Sequence, residues 1–153
     1  MIKDYIDHVS KKRKELGGHA VCPYAKAFLK KTNIVYSNNL MHSAFECFNE
    51  PNLYMLSVIY GDPNKHDRAW CACFCEEYQA YANKNNLWLI WDHPNQKNNI
   101  NGVRTNNTEY AILLIQKLDE TKKFSKKLEQ KTDYYSYWSA GYFEEIVKKR
   151  DSL

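Results

Sequence analysis

Arginine is scarce: Arg13, Arg68, Arg104 and Arg150 are the only four in 153 residues, and the net charge of +4 comes mainly from lysine. Arginine is the better fork for phosphates and base edges, so a dedicated nucleic-acid reader is not expected. Binding of that kind would have to reveal itself by strong salt dependence. Long apolar runs are also missing. The longest, such as Leu87 to Trp91, are far too short to span a bilayer. From Met1-Ile2-Lys3-Asp4 onward, charged and apolar residues are mixed, without the uninterrupted apolar stretch of a signal peptide. A soluble, cytoplasmic protein with no membrane partner is expected. No glycine-rich phosphate loop occurs, which argues against a dinucleotide or P-loop cofactor, and no cofactor is expected. Cys-x-x-Cys knuckles, internal repeats, low-complexity tracts and domain boundaries are likewise absent from the sequence.

What remains reads as one domain, residues 1–153. Apolar residues make up 44% and charged residues 26%, which is ordinary for a chain that folds around a core. Abundant Lys, Asn, Ile and Tyr fit an AT-rich genome and carry no function. Lys11-Lys12-Arg13-Lys14 is better read as a solvated face than as a phosphate patch. Five cysteines, an odd number without a secretion signal, argue against a disulfide framework. Free thiols, metal ligands or one reactive cysteine remain.

Apolar spacing predicts a helix over Ile2 to Leu16, stopped by Gly17-Gly18, and a short second helix over Cys22 to Lys31, with Pro23 in its first turn. Ile34 to Ser37 reads as a strand and Leu40 to Phe48 as a helix. Leu53 to Tyr60 is nearly all apolar, as in a central strand buried on both faces. Gly61-Asp62-Pro63-Asn64 is a turn. His66 to Lys84 reads as a helix with its stripe through Trp70, Cys73, Phe74, Tyr78 and Tyr81, where Glu77 would need a partner or the rim of the core. Leu87 to Trp91 is a third strand, and His93 to Asn107 a polar loop. Tyr110 to Leu128 is expected as a long amphipathic helix, and Tyr134 to Val147 contains another. The fold class is therefore α/β or α+β, a small sheet of three or more strands flanked by helices.

The candidate chemistry begins at Cys22-Pro23-Tyr24-Ala25-Lys26, where a thiol stands at the start of a helix. A helix N-terminus favours anions, so a thiolate-prone sulfur is expected there. His93 lies just past the end of a strand, where α/β proteins commonly place ligand-binding groups. A Cys–His pair is the usual route to an activated thiolate. Asn106 can orient the imidazole or donate to an oxyanion, and Lys26 lies one turn from the thiol. Cys22 and His93 are thus the candidate catalytic residues, with Tyr24, Lys26, Arg104, Asn106 and Tyr110 the candidate substrate-binding ones. Each also has a plainer reading, Cys22 as a buried small apolar residue and His93 as a loop cap.

Cys22-Pro23-Tyr24-Ala25 resembles the glutaredoxin motif with its second cysteine replaced, which leaves one-thiol chemistry only. Over most of its length the chain resembles an uncharacterised family of small bacterial cytosolic proteins, a domain of unknown function. That family's pattern is Cys-Pro-Phe-Ala-Lys, then Phe-His-Pro after the last strand, then Thr-Asn-Arg-Ser-Pro-Tyr-Pro opening a leucine-rich helix. The matching blocks are Cys22 to Lys26, Asp92-His93-Pro94, and Thr105-Asn106-Asn107-Thr108-Glu109-Tyr110 before Ala111-Ile112-Leu113-Leu114. The arginine and both prolines of the third block are absent, with Arg104 just ahead of it, and Trp91-Asp92 stands before His-Pro. The resemblance implies a shared fold and pocket and supplies no reaction.

Cys71-Ala72-Cys73-Phe74-Cys75 puts Cys71 and Cys75 on one helix side and Cys73 on another. Helix packing is favoured over zinc or copper held with His66 or Cys47, and no metal site is expected. Tyr134-Tyr135-Ser136-Tyr137-Trp138, with Tyr142 and Phe143, suits core or interface packing better than base stacking. The expectation is a small-molecule enzyme using Cys22 as nucleophile or redox thiol and His93 as its acid–base partner. The alternative is a non-catalytic small-molecule-binding or regulatory module using the same pocket or the aromatic surface. A homo-oligomer is left open.

Overall fold

Strand and helix alternate as far as Asp92, and the strands lie side by side. The computed structural model describes residues 1–106 and 108–153. Its strands are β1 (Thr32–Tyr36), β2 (Leu56–Gly61), β3 (Leu87–Asp92), a short hairpin of β4 (Asn99–Ile100) and β5 (Val103–Arg104), and β6 (Ala111–Lys117). The main sheet has the order β1-β2-β6-β3. β1 is parallel to β2, and β6 runs antiparallel to both β2 and β3. The first three strands therefore point the same way, and their C-terminal ends share one edge of the molecule.

Helices cover both faces. α1 (Ile2–Ser10), α2 (Pro23–Ala27) and α5 (Leu118–Lys131) lie on one side, and α3 (Leu40–Asn49) and α4 (Arg68–Lys84) on the other. Asn39 caps α3 by accepting the His42 N–H at 3.0 Å, and Asp67 caps α4 by accepting the Trp70 N–H at 2.8 Å, which removes orphan donors at both starts. The α3–α4 side packs Phe48, Phe74 and Cys71 on Ile59, Leu89 and Leu113. The other side packs Tyr5, Val9, Tyr24 and Tyr134 on Val58 and Ile112. Period-two alternation explains the split: Leu113 and Ile115 face one layer, Ile112 and Leu114 the other.

The chain ends in a turn (Tyr134–Tyr137), α6 (Ala140–Phe143), a π-helical stretch (Glu144–Lys148) and α7 (Lys149–Asp151). At this end the buried Arg150 donates from Nε to Oδ1 of the half-buried Asp151 at 2.8 Å. Ser125 Oγ donates to the other Asp151 oxygen at 3.0 Å and lies 2.8 Å from the Tyr135 hydroxyl, which lies 3.0 Å from that of Tyr24.

Several expectations need correction. The stretch from Tyr110 to Leu128 is not one helix: Ala111–Lys117 is the central strand β6, and helix begins only at Leu118. A short Ile/Leu run that is buried on all sides has no stripe, so its period does not distinguish strand from helix. The first helix stops at Ser10, and Lys11 is already extended. The turn lies later, at Gly17, whose φ of 61° is left-handed and whose Cβ position is occupied by the Tyr137 ring and hydroxyl. The second helix proper is only Pro23–Ala27, followed by a separate 3-10 turn, Leu29–Lys31. β2 starts at Leu56, leaving Leu53 and Tyr54 exposed. On α4 the inward face carries Cys71, Phe74, Cys75 and Ala82, while Cys73, Glu77 and Tyr81 are exposed, so Glu77 needs no partner.

Candidate functional site

Cys22 is placed by main-chain bonds on either side of it. Its N–H donates to Val9 O at 2.8 Å, tying the start of α2 to the end of α1, and the Tyr134 hydroxyl donates to Val21 O. The residue is half-buried at the N-cap of α2. A five-residue helix carries little dipole, and burial outweighs it. Burial pushes the Cys22 thiol up to about 11, against the pull of the Ala25 and Tyr24 N–H groups; Asp92 adds to the rise and Arg150 offsets part of it. The sulfur expected to be thiolate-prone is a protonated thiol at neutral pH.

His93 is 2% exposed, and both its ring nitrogens are committed to the main chain. Nε2 donates to Pro63 O at 3.2 Å and Nδ1 accepts the Asn95 N–H at 3.1 Å. This fixes the tautomer and leaves no nitrogen to take a proton from a thiol. His93 is a loop cap, and the expected Cys22–His93 pair is not formed. Asn106 belongs to the same closure. Fully buried, it donates from Nδ2 to His93 O at 2.8 Å and to Gln96 O, and it orients no imidazole. Arg104, exposed, donates to Pro94 O at 2.9 Å and clasps the same loop.

The other expected residues are spread out. The buried Tyr24 ring lies beneath the Arg150 guanidinium, 5.7 Å from centroid to Cζ, and burial holds its hydroxyl well above the ordinary range. Tyr110 packs edge-on against Tyr60 at 5.0 Å. Lys26 is exposed on the rim of an open groove of about 500 Å³ between α1 and α2. Asn107, in the third block of the resemblance, lies outside the described residues. Among the described residues no group of three or more His, Cys, Asp or Glu is placed to hold a metal ion. Cys71 and Cys75 face the core with thiols raised to about 12, chiefly by burial.

The residue that sequence reasoning passed over is Asp92. It ends β3 on the same face as Trp88 and Ile90, half-buried, and accepts a hydrogen bond from the Tyr5 hydroxyl at 2.5 Å. Burial raises its carboxyl to about 7, with the Tyr5 bond pulling it back down. Tyr5 itself is pushed well up by burial and then by Asp92, with smaller contributions from Cys22 and Tyr142. Tyr142 rises to about 12, first from burial and then from Asp92, while the Thr105 and Asn98 side chains face its hydroxyl. Asp92, Tyr5, Cys22 and Tyr142 thus form one electrostatically linked cluster at the C-terminal end of β3. The signal was present in Leu87-Trp88-Leu89-Ile90-Trp91-Asp92, an apolar strand whose last inward position is a carboxylate.

An apolar chamber of about 30 Å³, lined in part by Tyr5, Val9, Cys22 and Leu114, lies beside this cluster. It shares Ile6, Ala25, Leu29 and Ile34 with the open groove that carries Lys26. A separate cleft of about 440 Å³ opens on the α3 side, between Cys47, Glu50, Ser57 and Leu87, and contains none of the residues singled out in the sequence as catalytic or substrate-binding. Compared with family models, curated proteins and solved structures, the chain matches none of them.

Alkylation orders the thiols. With iodoacetamide at pH 7.5, exposed Cys73 is expected to be modified first, and Cys22, Cys71 and Cys75 slowly, with Cys22 gaining speed only as the pH approaches about 11. Peptide mass spectrometry reads this directly. Fast labelling of Cys22 at neutral pH would restore the activated-thiolate reading.

Proposed function

We propose that this chain is a small-molecule enzyme of the proton-transfer type, in which Asp92 carries the proton and Tyr5 holds its carboxyl in place. The observation that carries this reading is the 2.5 Å bond between the Tyr5 hydroxyl and a half-buried carboxylate at the end of a strand. Strand ends of this kind are where α/β folds place their ligands. A carboxyl near 7 is matched to general acid–base work at physiological pH, because both of its forms are populated. Tyr5 and Tyr142 flank the carboxyl, and the groove of about 500 Å³ that shares its lining with the small chamber beside Cys22 has the room a small substrate needs.

Cys22 has a different part here from the nucleophile expected from the sequence. Moving its proton to Asp92 means crossing from about 11 to about 7, a cost of roughly 5 kcal/mol before any bond forms. The thiol is better suited to be a neutral wall of the site. Lys26, on the rim of the groove, is positioned to meet an acidic end of the substrate.

Carbon-detected NMR titration of the Asp92 carboxyl, together with a thermal-shift screen of small metabolites at pH 6 and pH 8, tests the proposal. The expected result is titration near pH 7 and a ligand whose stabilising effect changes between the two pH values in the wild type but not in Asp92→Asn. A carboxyl titrating in the ordinary range near 4, with no ligand that separates the two proteins, would sink it. A ligand bound equally by both and never converted would make the chain a binding module.

A further inference from the structure

β1 is a free edge of the main sheet, and the features that usually blunt one stand at its start, in Lys30, Lys31 and the turn that occupies the Thr32 N–H, and not along Asn33 to Tyr36. Thr32-Asn33-Ile34-Val35-Tyr36 has no charge, no proline and no bulge. Main-chain groups of the odd-numbered residues turn inward to β2, as the Ser37 N–H does in donating to Tyr60 O at 2.9 Å. The even-numbered residues therefore aim their N–H and C=O groups outward. Thr32 spends its N–H on Leu29 O. Among the described residues nothing bonds the outward groups of Ile34 and Tyr36. Large apolar side chains surround the same edge: Leu29 is 56% exposed, Ile34 42% and Tyr36 51%.

We propose that β1 pairs with β1 of a second copy of this chain, antiparallel, about a two-fold axis at Ile34. That centre pairs Ile34 with itself and Thr32 with Tyr36, so each copy donates from Ile34 to the partner's Ile34 O and from Tyr36 to the partner's Thr32 O. The same register sets Lys30 against the partner's Asn38 and Lys31 against the partner's Ser37, so no lysine faces a lysine. A partner strand with a basic flank aligned the other way would meet that repulsion. Ile34, Tyr36 and Thr32 share one sheet face, and pairing lays the two apolar rows side by side. Ile34 also lines the groove leading to Cys22, so the two grooves become neighbours across the axis.

Sedimentation velocity of the full chain over a concentration series tests this, with far-UV circular dichroism as the folding control. The wild type is expected at twice the chain mass. Ile34→Lys, a change at an exposed position, is expected to weaken self-association by about a hundredfold or more while leaving the spectrum unchanged. Ile34→Cys provides the geometry. Hydrogen-bonded antiparallel partners stand roughly 5.5 Å apart at Cα, within disulfide range, so a cross-link between the two introduced thiols is expected in the oxidised peptide map. Tyr36→Cys, roughly 14 Å from its own copy in this register, is expected to give none. A wild type that is monomeric at every concentration, a dimer indifferent to Ile34→Lys, or a Tyr36→Cys cross-link would each overturn the proposal.

Discussion

Asp92→Asn is expected to make the protein more stable at pH 8, by about 2–4 kcal/mol, and to remove most of the decline in stability between pH 4 and pH 7. The sign comes from linkage. An aspartate in the unfolded chain titrates near 3.9, whereas Asp92 in the fold titrates near 7. Between those values the folded state binds a proton that the unfolded state has released. Stability is therefore full below about pH 4, declines as the pH rises through 7, and is flat above. A gap of about three pH units corresponds to roughly 4 kcal/mol at pH 8. Asparagine removes the charge yet keeps an oxygen for the Tyr5 hydroxyl, so most of that penalty is relieved. The other groups facing Asp92 are Tyr5, Cys22, Tyr142 and, more distantly, Cys71, all raised and neutral across this window. Urea denaturation of both proteins at pH 5 and pH 8 provides the four free energies. If Asp92→Asn is the weaker protein at pH 8, the bond from Tyr5 outweighs the cost of burying the charge, and the carboxyl is an ordinary structural anion. Natural chains keep a destabilising group at such a place chiefly where chemistry requires it.

The elements that the sequence made legible are those whose signals are local. Leu87 to Trp91 and Ile34 to Ser37 are short, largely apolar or β-branched runs each preceded by asparagine, and strands form there, over Leu87–Asp92 and Thr32–Tyr36. Pro23 marks a helix start whatever packs upon it. Ala111 to Ile115 reads as helix in the sequence and is strand in the fold, because what makes it a strand is its position between β2 and β3, a non-local fact. Of the candidate site, the sequence singled out His93, the neighbour of Asp92. The sequence points to the end of β3, but period-two alternation turns Asp92 toward Tyr5 and Cys22, while His93 closes on Pro63 and Asn95. The state of Cys22 could not be read at all. Its helix start suggests an acidic thiol, and only the packing of α1 against α2 reveals that desolvation prevails.

Asn106 provides the second large effect, because its side chain stands in for a strand pairing that the loop after β3 lacks. Two carbonyls, His93 O and Gln96 O, receive hydrogen bonds from its Nδ2, and Thr105 N–H donates to Asn98 O at 3.0 Å beside it. Asn106→Ala leaves both carbonyls without this donor, and with His93 buried the loss is expected to be about 2–4 kcal/mol. For a chain of this size that is a fall of roughly 10 °C in Tm. Asn106→Asp is expected to be worse, since it directs a carboxylate at two carbonyl oxygens in a fully buried place. Arg104→Ala, which removes an exposed clasp from the same loop, is expected to cost no more than about 1 kcal/mol. Thermal and urea unfolding of the three variants set this order. Had Asn106 been a substrate-positioning group, as its motif suggested, its removal would spare stability and show only in ligand affinity. An Asn106→Ala protein as stable as the wild type would therefore return the residue to the site and leave the closure of this loop to the His93 ring, with its bonds to Pro63 and Asn95.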